Sequence, residues 1–214
     1  MNKSVWKDLH NQYQTRDWID KPSIFAEEAM IHFPHSGDLL ELGAGLGQDS
    51  RYFAKAGYSV IATDIESTIL EVDQNKVSPD IQSRIQFQQL DLRQPFPIDD
   101  NSFQIVYAHL SLHYFDKETT RRIFTEIHRV LKPHGVFAFL VNSTTDPEYG
   151  TGQALEPDYY MVEDKAKRFF SVGTVNDLIT DDYDIILLDN KGETYKDRDK
   201  GVHNLIRCVA KKKL

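Results

Sequence analysis

The chain has 214 residues, 40% hydrophobic and 27% charged, a balance that excludes a disordered or fibrous protein and allows a full hydrophobic core. A formal charge of −8 argues against a nucleic-acid surface, and no apolar run approaches the roughly 20 residues that cross a bilayer. The first residues carry no apolar signal segment, and the single cysteine, Cys208, allows no internal disulfide, so a cytoplasmic protein without nucleic-acid or membrane partners is expected.

Residues 3–15 place Val5, Trp6, Leu9 and Tyr13 at helical spacing, which predicts a short amphipathic helix. Asp20-Lys21-Pro22 should open a second helix, with proline in its first turn and Ile24, Phe25, Ala29, Met30 and Phe33 on its apolar side. Pro34-His35-Ser36-Gly37 ends it. The stretch Leu39-Leu40-Glu41-Leu42-Gly43-Ala44-Gly45-Leu46-Gly47 then runs from apolar residues through an acid into three alternating glycines, and a helix-like run follows from Gln48. A strand, a glycine turn and a helix N-terminus in that order bind nucleotide-like ligands. Glycine lets the backbone come close, and the free N–H groups of the helix favour an anion.

The details narrow the ligand. A dinucleotide fingerprint would need glycine at the third slot counted from Gly43, where Gln48 stands, and no Lys-Ser or Lys-Thr pair makes a phosphate loop. Glu41 at the strand mouth would repel a pyrophosphate and suit a cation. A ligand with a carboxylate, an ammonium and a nucleoside, such as S-adenosylmethionine, fits this mixture.

The helix from Gln48 should stop at Gly57, and Tyr58–Thr63 reads as a strand ending at Asp64, 23 residues after Glu41. A carboxylate at that edge can accept from both hydroxyls of a ribose; the alternative is an N-cap for a helix over Glu66–Asn75. Arg84–Leu90 alternates as a third strand and ends at Asp91-Leu92. Asp91 is either a ligand carboxylate or a turn residue before Pro95 and Pro97. Phe103–Ala108 is a fourth strand that opens into His109–Phe115. Asp116 caps a helix over Lys117–Leu131 with Ile123, Phe124, Ile127, Val130 and Leu131 as its core stripe, while Arg121, Arg122, Glu126 and Arg129 read as a solvated face. After a strand ending near Val141, Asn142–Phe170 is an aromatic, turn-rich insertion of the kind that forms lids or binding loops. Val172–Thr180 reads as a last helix, and Tyr183–Leu188 and His203–Ala210 as an antiparallel pair around a polar loop.

Glu41-x-Gly43-x-Gly45-x-Gly47, with the later acids and the helix-turn-strand Arg129–Phe139, resembles class I S-adenosylmethionine-dependent methyltransferases from about Leu39 to Val141. The departure is His134, where many relatives have glycine. The resemblance implies an α/β, Rossmann-like sheet of seven mostly parallel strands in the order 3-2-1-4-5-7-6, the last antiparallel, with helices on both faces. Residues 1–214 would form a single domain, with 1–36 as a helical cover and 142–170 as an inserted lid. It implies S-adenosyl-L-methionine as cofactor and S-adenosyl-L-homocysteine as product. Their binding falls to Glu41, Gly43, Ala44, Gly45, Gly47, Gln48, Asp64, Ile65, Asp91, Leu92, Ala108 and His109. In that family the acid after the third strand meets the adenine amine.

The implied reaction is methyl transfer to a small-molecule acceptor by in-line displacement. His113, His109 and Tyr114, on the loop that should face the methyl, are the candidate catalytic groups. The two histidines also have the i, i+4 spacing of a metal pair, but no third ligand stands at a telling distance, so no metal is expected. Tyr13, Trp18, Asn142, Tyr149, Tyr159, Tyr160 and Arg168 are the substrate-side candidates, with plain packing of these aromatics as the alternative. Two further readings compete: a binding module that senses the cofactor without turnover, and a nicotinamide-dependent oxidoreductase.

Overall fold

A computed structural model of the chain describes residues 20–66, 78–179, 181–196 and 199–214. The helix expected over 3–15, the candidates Tyr13 and Trp18, and most of the helix expected after Asp64 lie outside the described residues.

Helix α1 (Ile24–Met30) starts later than Pro22 implied. Ser23 is its N-cap, accepting from the Ala26 N–H at 3.1 Å, so the proline precedes the cap. Strand β1 (Asp38–Leu42) leads through the glycine bend into α2 (Gln48–Lys55), which β2 (Ser59–Asp64) follows. A short helix α3 (Pro79–Gln82) precedes β3 (Ile85–Gln89). Then come β4 (Phe103–His109), α4 (Lys117–Val130) and β5 (Leu131–Val141). Within β5, at the register irregularity between Leu131 and Val136, His134 holds φ +63°, the conformation that glycine takes most easily. The insertion carries β6 (Gln153–Glu156), β7 (Tyr159–Val162) and β8 (Lys165–Arg168). After it come α5 (Val172–Leu178), β9 (Tyr183–Gly192) and β10 (Leu205–Lys212).

Seven of these strands form one sheet in the order β3-β2-β1-β4-β5-β10-β9. Numbered within the sheet alone, that order is 3-2-1-4-5-7-6. The first five strands pair in parallel, and β10 runs antiparallel to both β5 and β9. Strands buried on both faces read as continuous apolar runs, and β4 and β5 do. Val106, Ala108, Phe137 and Phe139 face one core with Ile123, Phe124 and Ile127 of α4. Ile105, Tyr107, Ala138 and Leu140 face the other with Phe25 and Ala29 of α1 and Phe53 of α2. Each fully buried Val, Leu, Ile or Phe side chain among these contributes roughly 1.5–3 kcal/mol.

The expected solvated face of α4 does more than meet water. Arg129 donates to the carbonyls of Phe96 and Ile98 and to Asp100, while Glu126 accepts from the Phe96 N–H, so together they clamp loop 96–100. Arg122 reaches the Leu92 carbonyl at 3.2 Å.

The insertion is ordered as a second sheet, β6-β7-β8, rather than a turn-rich loop, and its strands are all antiparallel. Its tight turns use Asp158 and Glu163 at φ +58° and +52°, so the Asn-Gly or Asp-Gly signal that marks such hairpins in a sequence is missing. Among the described residues, no helix is long and apolar enough to cross a membrane.

Candidate functional site

The carboxyl edges of β1, β2, β3 and β4 meet at a cavity of about 1130 Å³. Its first wall is the glycine bend. The N–H groups of Gly43 and Ala44 both donate to the Thr63 carbonyl at 2.8 Å, which folds the loop back on β2. Gly43 stands at φ +74°, and a Cβ there would come within 2.4 Å of the Ser111 Cβ. The bend therefore needs glycine for its conformation and for the close approach of the β4–α4 loop, where Ser111 Oγ donates to the Leu42 carbonyl at 2.5 Å. Gly45 N–H donates to Asp64 Oδ2 at 3.0 Å, and Glu66 N–H to Asp64 Oδ1 at 3.0 Å, so the loop aims this carboxylate.

Glu41 is buried at the tip of β1 and accepts from Ser50 Oγ. Burial above all, then the nearby Asp49, push its carboxyl well above the usual range; Ser50 and Arg51 oppose this and Asp64 adds to it. Asp49 accepts from Ser23 N–H and Oγ, both at 2.7 Å, and from the Tyr107 hydroxyl at 2.9 Å. That network ties the start of α1 to the start of α2. Asp91, at the end of β3, is held by Arg93.

Of the residues expected at a cofactor, Glu41, Gly43, Ala44, Gly45, Gln48, Asp64, Ile65, Asp91, Leu92 and His109 line this cavity. Gly47 and Ala108 do not: Gly47 is the left-handed N-cap of α2, and Ala108 is sealed in the sheet core. Gln48 Oε1 and His109 Nε2 are buried polar atoms without a hydrogen-bond partner. Burial lowers the pKa of His109, against the attraction of Asp49.

Of the other two catalytic candidates, Tyr114 lines the cavity and His113 does not. His113 is buried with its ring centroid 4.3 Å from that of Tyr114, and burial brings its pKa down to about 3, with Lys167 and His109 adding to the shift. Among the substrate-side candidates that fall within the described residues, only Tyr159 reaches the wall. Asn142 is buried, its carbonyl accepting from Phe170 N–H. Tyr149 donates to Asp158, and Tyr160 packs on Tyr149 and Phe169. Arg168 is buried against Glu156 and the Phe115 carbonyl.

Several wall residues carry no local signal in the sequence. Met161 and Ala166 come from the insertion sheet, and Thr194, Tyr195, Lys196 and Val202 from the tip between β9 and β10, which the sequence shows only as a polar loop. Among the described residues no three His, Cys, Asp or Glu side chains are grouped to hold a metal.

Comparison with known proteins agrees with this geometry. Residues 40–139 match the family model described as methyltransferase domain. The chain is 30% identical over 173 residues to phosphoethanolamine N-methyltransferase 1 of Triticum aestivum, covering 75% of this chain and 34% of that one. It is 33% identical over 145 residues to the putative methyltransferase YqeM of Bacillus subtilis, covering 66% of this chain and 54% of that one. The chain thus spans about a third to a half of the length of these curated relatives. Among solved structures, an S-adenosylmethionine-dependent methyltransferase of Methanosarcina mazei superposes with a TM-score of 0.73 at 21% identity, covering 86% of this chain and 97% of that one. The 1,6-didemethyltoxoflavin-N1-methyltransferase of Burkholderia thailandensis gives 0.72 at 18%, covering 99% and 85%. The fold and the glycine bend define a nucleotide-type α/β site. Residues 40–139 thus carry the likeness to a methyltransferase domain, and the fold is that of S-adenosylmethionine-dependent methyltransferases of known structure.

Proposed function

We propose that the protein transfers a methyl group from S-adenosyl-L-methionine to a small-molecule acceptor and releases S-adenosyl-L-homocysteine. The observation that carries the reading is that Glu41, Asp64 and Asp91, from the ends of three neighbouring strands, line one cavity beside the glycine bend.

The donor set suits the cofactor. A carboxylate at Asp64 accepts ribose hydroxyls, one at Asp91 accepts an exocyclic amine, and Ile65 and Leu92 supply apolar surface for the adenine. Glu41, crowded by other acids, favours an ammonium. The unpartnered Gln48 Oε1 and His109 Nε2 are atoms that a polar ligand would satisfy. When bound, the cofactor supplies an electrophilic methyl on a sulfonium, open to in-line attack.

What remains for the chain is to position and to dry the site. Alignment of reactants is worth up to about 7–11 kcal/mol in well-oriented systems. His109, at the end of β4, and Tyr114, on the loop after it, are wall groups with proton chemistry, and burial keeps the His109 imidazole neutral and able to accept a proton. The cavity exceeds the roughly 300–1000 Å³ of a single-ligand pocket, so a cofactor and a small acceptor fit together. A cytoplasmic location belongs to the same reading and is in keeping with the free, buried Cys208.

Calorimetry with S-adenosylhomocysteine tests the reading directly, with NAD as the control. Heat for the first and none for the second is expected, followed by transfer of labelled methyl into a metabolite pool. No heat with S-adenosylhomocysteine would end the proposal.

A further inference from the structure

The strands of the insertion alternate their side chains between two faces, and the two faces differ in chemistry. On β7, Tyr159 and Met161 point into the cavity, while Tyr160 turns away to meet Tyr149 and Phe169 edge-on. On β8, Ala166 stands directly across from Met161 in the register and also lines the cavity. The Tyr159 ring is fixed in place: its hydroxyl donates to the Tyr114 carbonyl at 3.3 Å, and the Arg168 guanidinium lies 5.0 Å over its centroid.

The charges of the same sheet are already engaged. Arg168 is held by Glu156 and the Phe115 carbonyl, Lys167 pairs with Glu148 at 2.5 Å, and Lys165 with Asp164 at 3.0 Å. Elsewhere on the cavity, Glu27, Asp116 and Asp164 add acid to the carboxylates of the glycine bend, and Arg93 is committed to Asp91. Lys21 and Lys196 also line the cavity, but with Arg93 they stand against seven wall carboxyl groups (Glu27, Glu41, Asp49, Asp64, Asp91, Asp116 and Asp164), so an anionic acceptor would meet net repulsion there. A flat apolar body would meet an aromatic ring, an adaptable thioether and the notch left by an alanine methyl.

We propose that Tyr159, Met161 and Ala166 form the wall that selects the methyl acceptor, and that this acceptor is a planar, apolar molecule bearing a neutral or basic nitrogen or hydroxyl rather than a phosphorylated one. The inference rests on the methyltransferase reading above and adds the substrate class to it.

The test uses the full chain saturated with S-adenosylhomocysteine and titrated with aminoquinoline or with phosphoethanolamine. Aminoquinoline should bind and phosphoethanolamine should not. Ala166→Phe, which fills the notch, should weaken aminoquinoline at least tenfold while the affinity for S-adenosylhomocysteine stays within twofold. Met161→Ala, which leaves a hole instead, should weaken it at least threefold and serves if the larger variant folds poorly. Binding of phosphoethanolamine in preference, binding of neither probe, or indifference to both substitutions would overturn the proposal. Absence of S-adenosylhomocysteine binding by the unaltered protein would instead remove the reading beneath it.

Discussion

Arg93 grips the carboxylate of Asp91 in a two-point contact, Nε 2.9 Å from Oδ1 and Nη2 2.7 Å from Oδ2, on the wall of the cavity where an adenine amine would be received. The contact raises the pKa of the Arg93 guanidinium further. Both side chains are partly exposed, 42% and 28%, so the pair itself is worth only about 0.2–1 kcal/mol. A ligand amine at Asp91 must share or displace it. Arg93→Gln should therefore tighten S-adenosylhomocysteine up to about fivefold, the equivalent of 1 kcal/mol. Asp91→Ala should weaken it by about tenfold or more, the loss of a hydrogen bond to a charged group. Calorimetry on both variants decides the matter: weaker binding by Arg93→Gln would mean that the guanidinium contacts the ligand itself.

Glu41 gives the cofactor site a pH dependence whose sign follows from its burial. Its carboxyl titrates well above the usual range in the folded chain, so over that window the folded state holds a proton that the unfolded state has released. Stability of the ligand-free protein should then fall as pH rises from about 4.5 toward the raised value. Glu41→Gln keeps the shape without the titration and should flatten the melting temperature between mildly acidic and alkaline pH. An ammonium placed beside Glu41 should drive that proton off. Binding heats of S-adenosylhomocysteine measured in buffers of different ionisation enthalpy should show proton release in the parent and less in Glu41→Gln. Buffer-independent heats in the parent would contradict this role for Glu41.

The parts of the site that local sequence shows are the ones where one residue type has one physical use. Gly43 needs both a positive φ and room for Ser111, while Asp64 closes an apolar strand and Asp91 an alternating one at a sheet edge, so each is legible in the chain alone. Motif position alone points to Gly47 and Ala108, and the fold uses them instead for a helix cap and for the sheet core. The acceptor wall is harder to read because it is tertiary. Met161 and Ala166 face the cavity through the register of a sheet whose turns lack glycine, and Tyr195 and Val202 arrive from the tip between β9 and β10. The aromatic content of the insertion is plain in the sequence, but which aromatics point inward is not. A strand with one face on a cavity and one on Tyr149 and Phe169 looks apolar on both sides.

Cys208 is sealed within β10 opposite Phe139, and burial pushes its thiol up to about 12. The thiolate is the reactive form, so the native protein should not react with a disulfide reagent at neutral pH, and one thiol should appear on denaturation. Activity should survive prolonged treatment with the reagent. Rapid native labelling would show that β10 opens locally far more often than its burial implies.

His113 separates a structural from a catalytic role through its protonation. In the folded chain it titrates at about 3, far below the value near 6.5 of an unperturbed imidazole, because burial disfavours its charged form. Between those values the unfolded chain takes up a proton that the folded chain refuses. The stability tied to this ring is therefore present at neutral pH and lost as pH falls from about 6.5 toward 3. His113→Phe, of similar shape and without the titration, should lose less melting temperature between pH 7 and pH 5 than the parent does, on the order of a few degrees per kcal/mol recovered. The same ring is neutral through the whole range in which turnover would be measured, so its titration should supply no limb of the pH–rate profile. A limb near neutrality that vanishes in His113→Phe and persists in His109→Gln would place the proton acceptor at His113 after all. Loss of that limb in His109→Gln alone would assign it to the imidazole on the cavity wall.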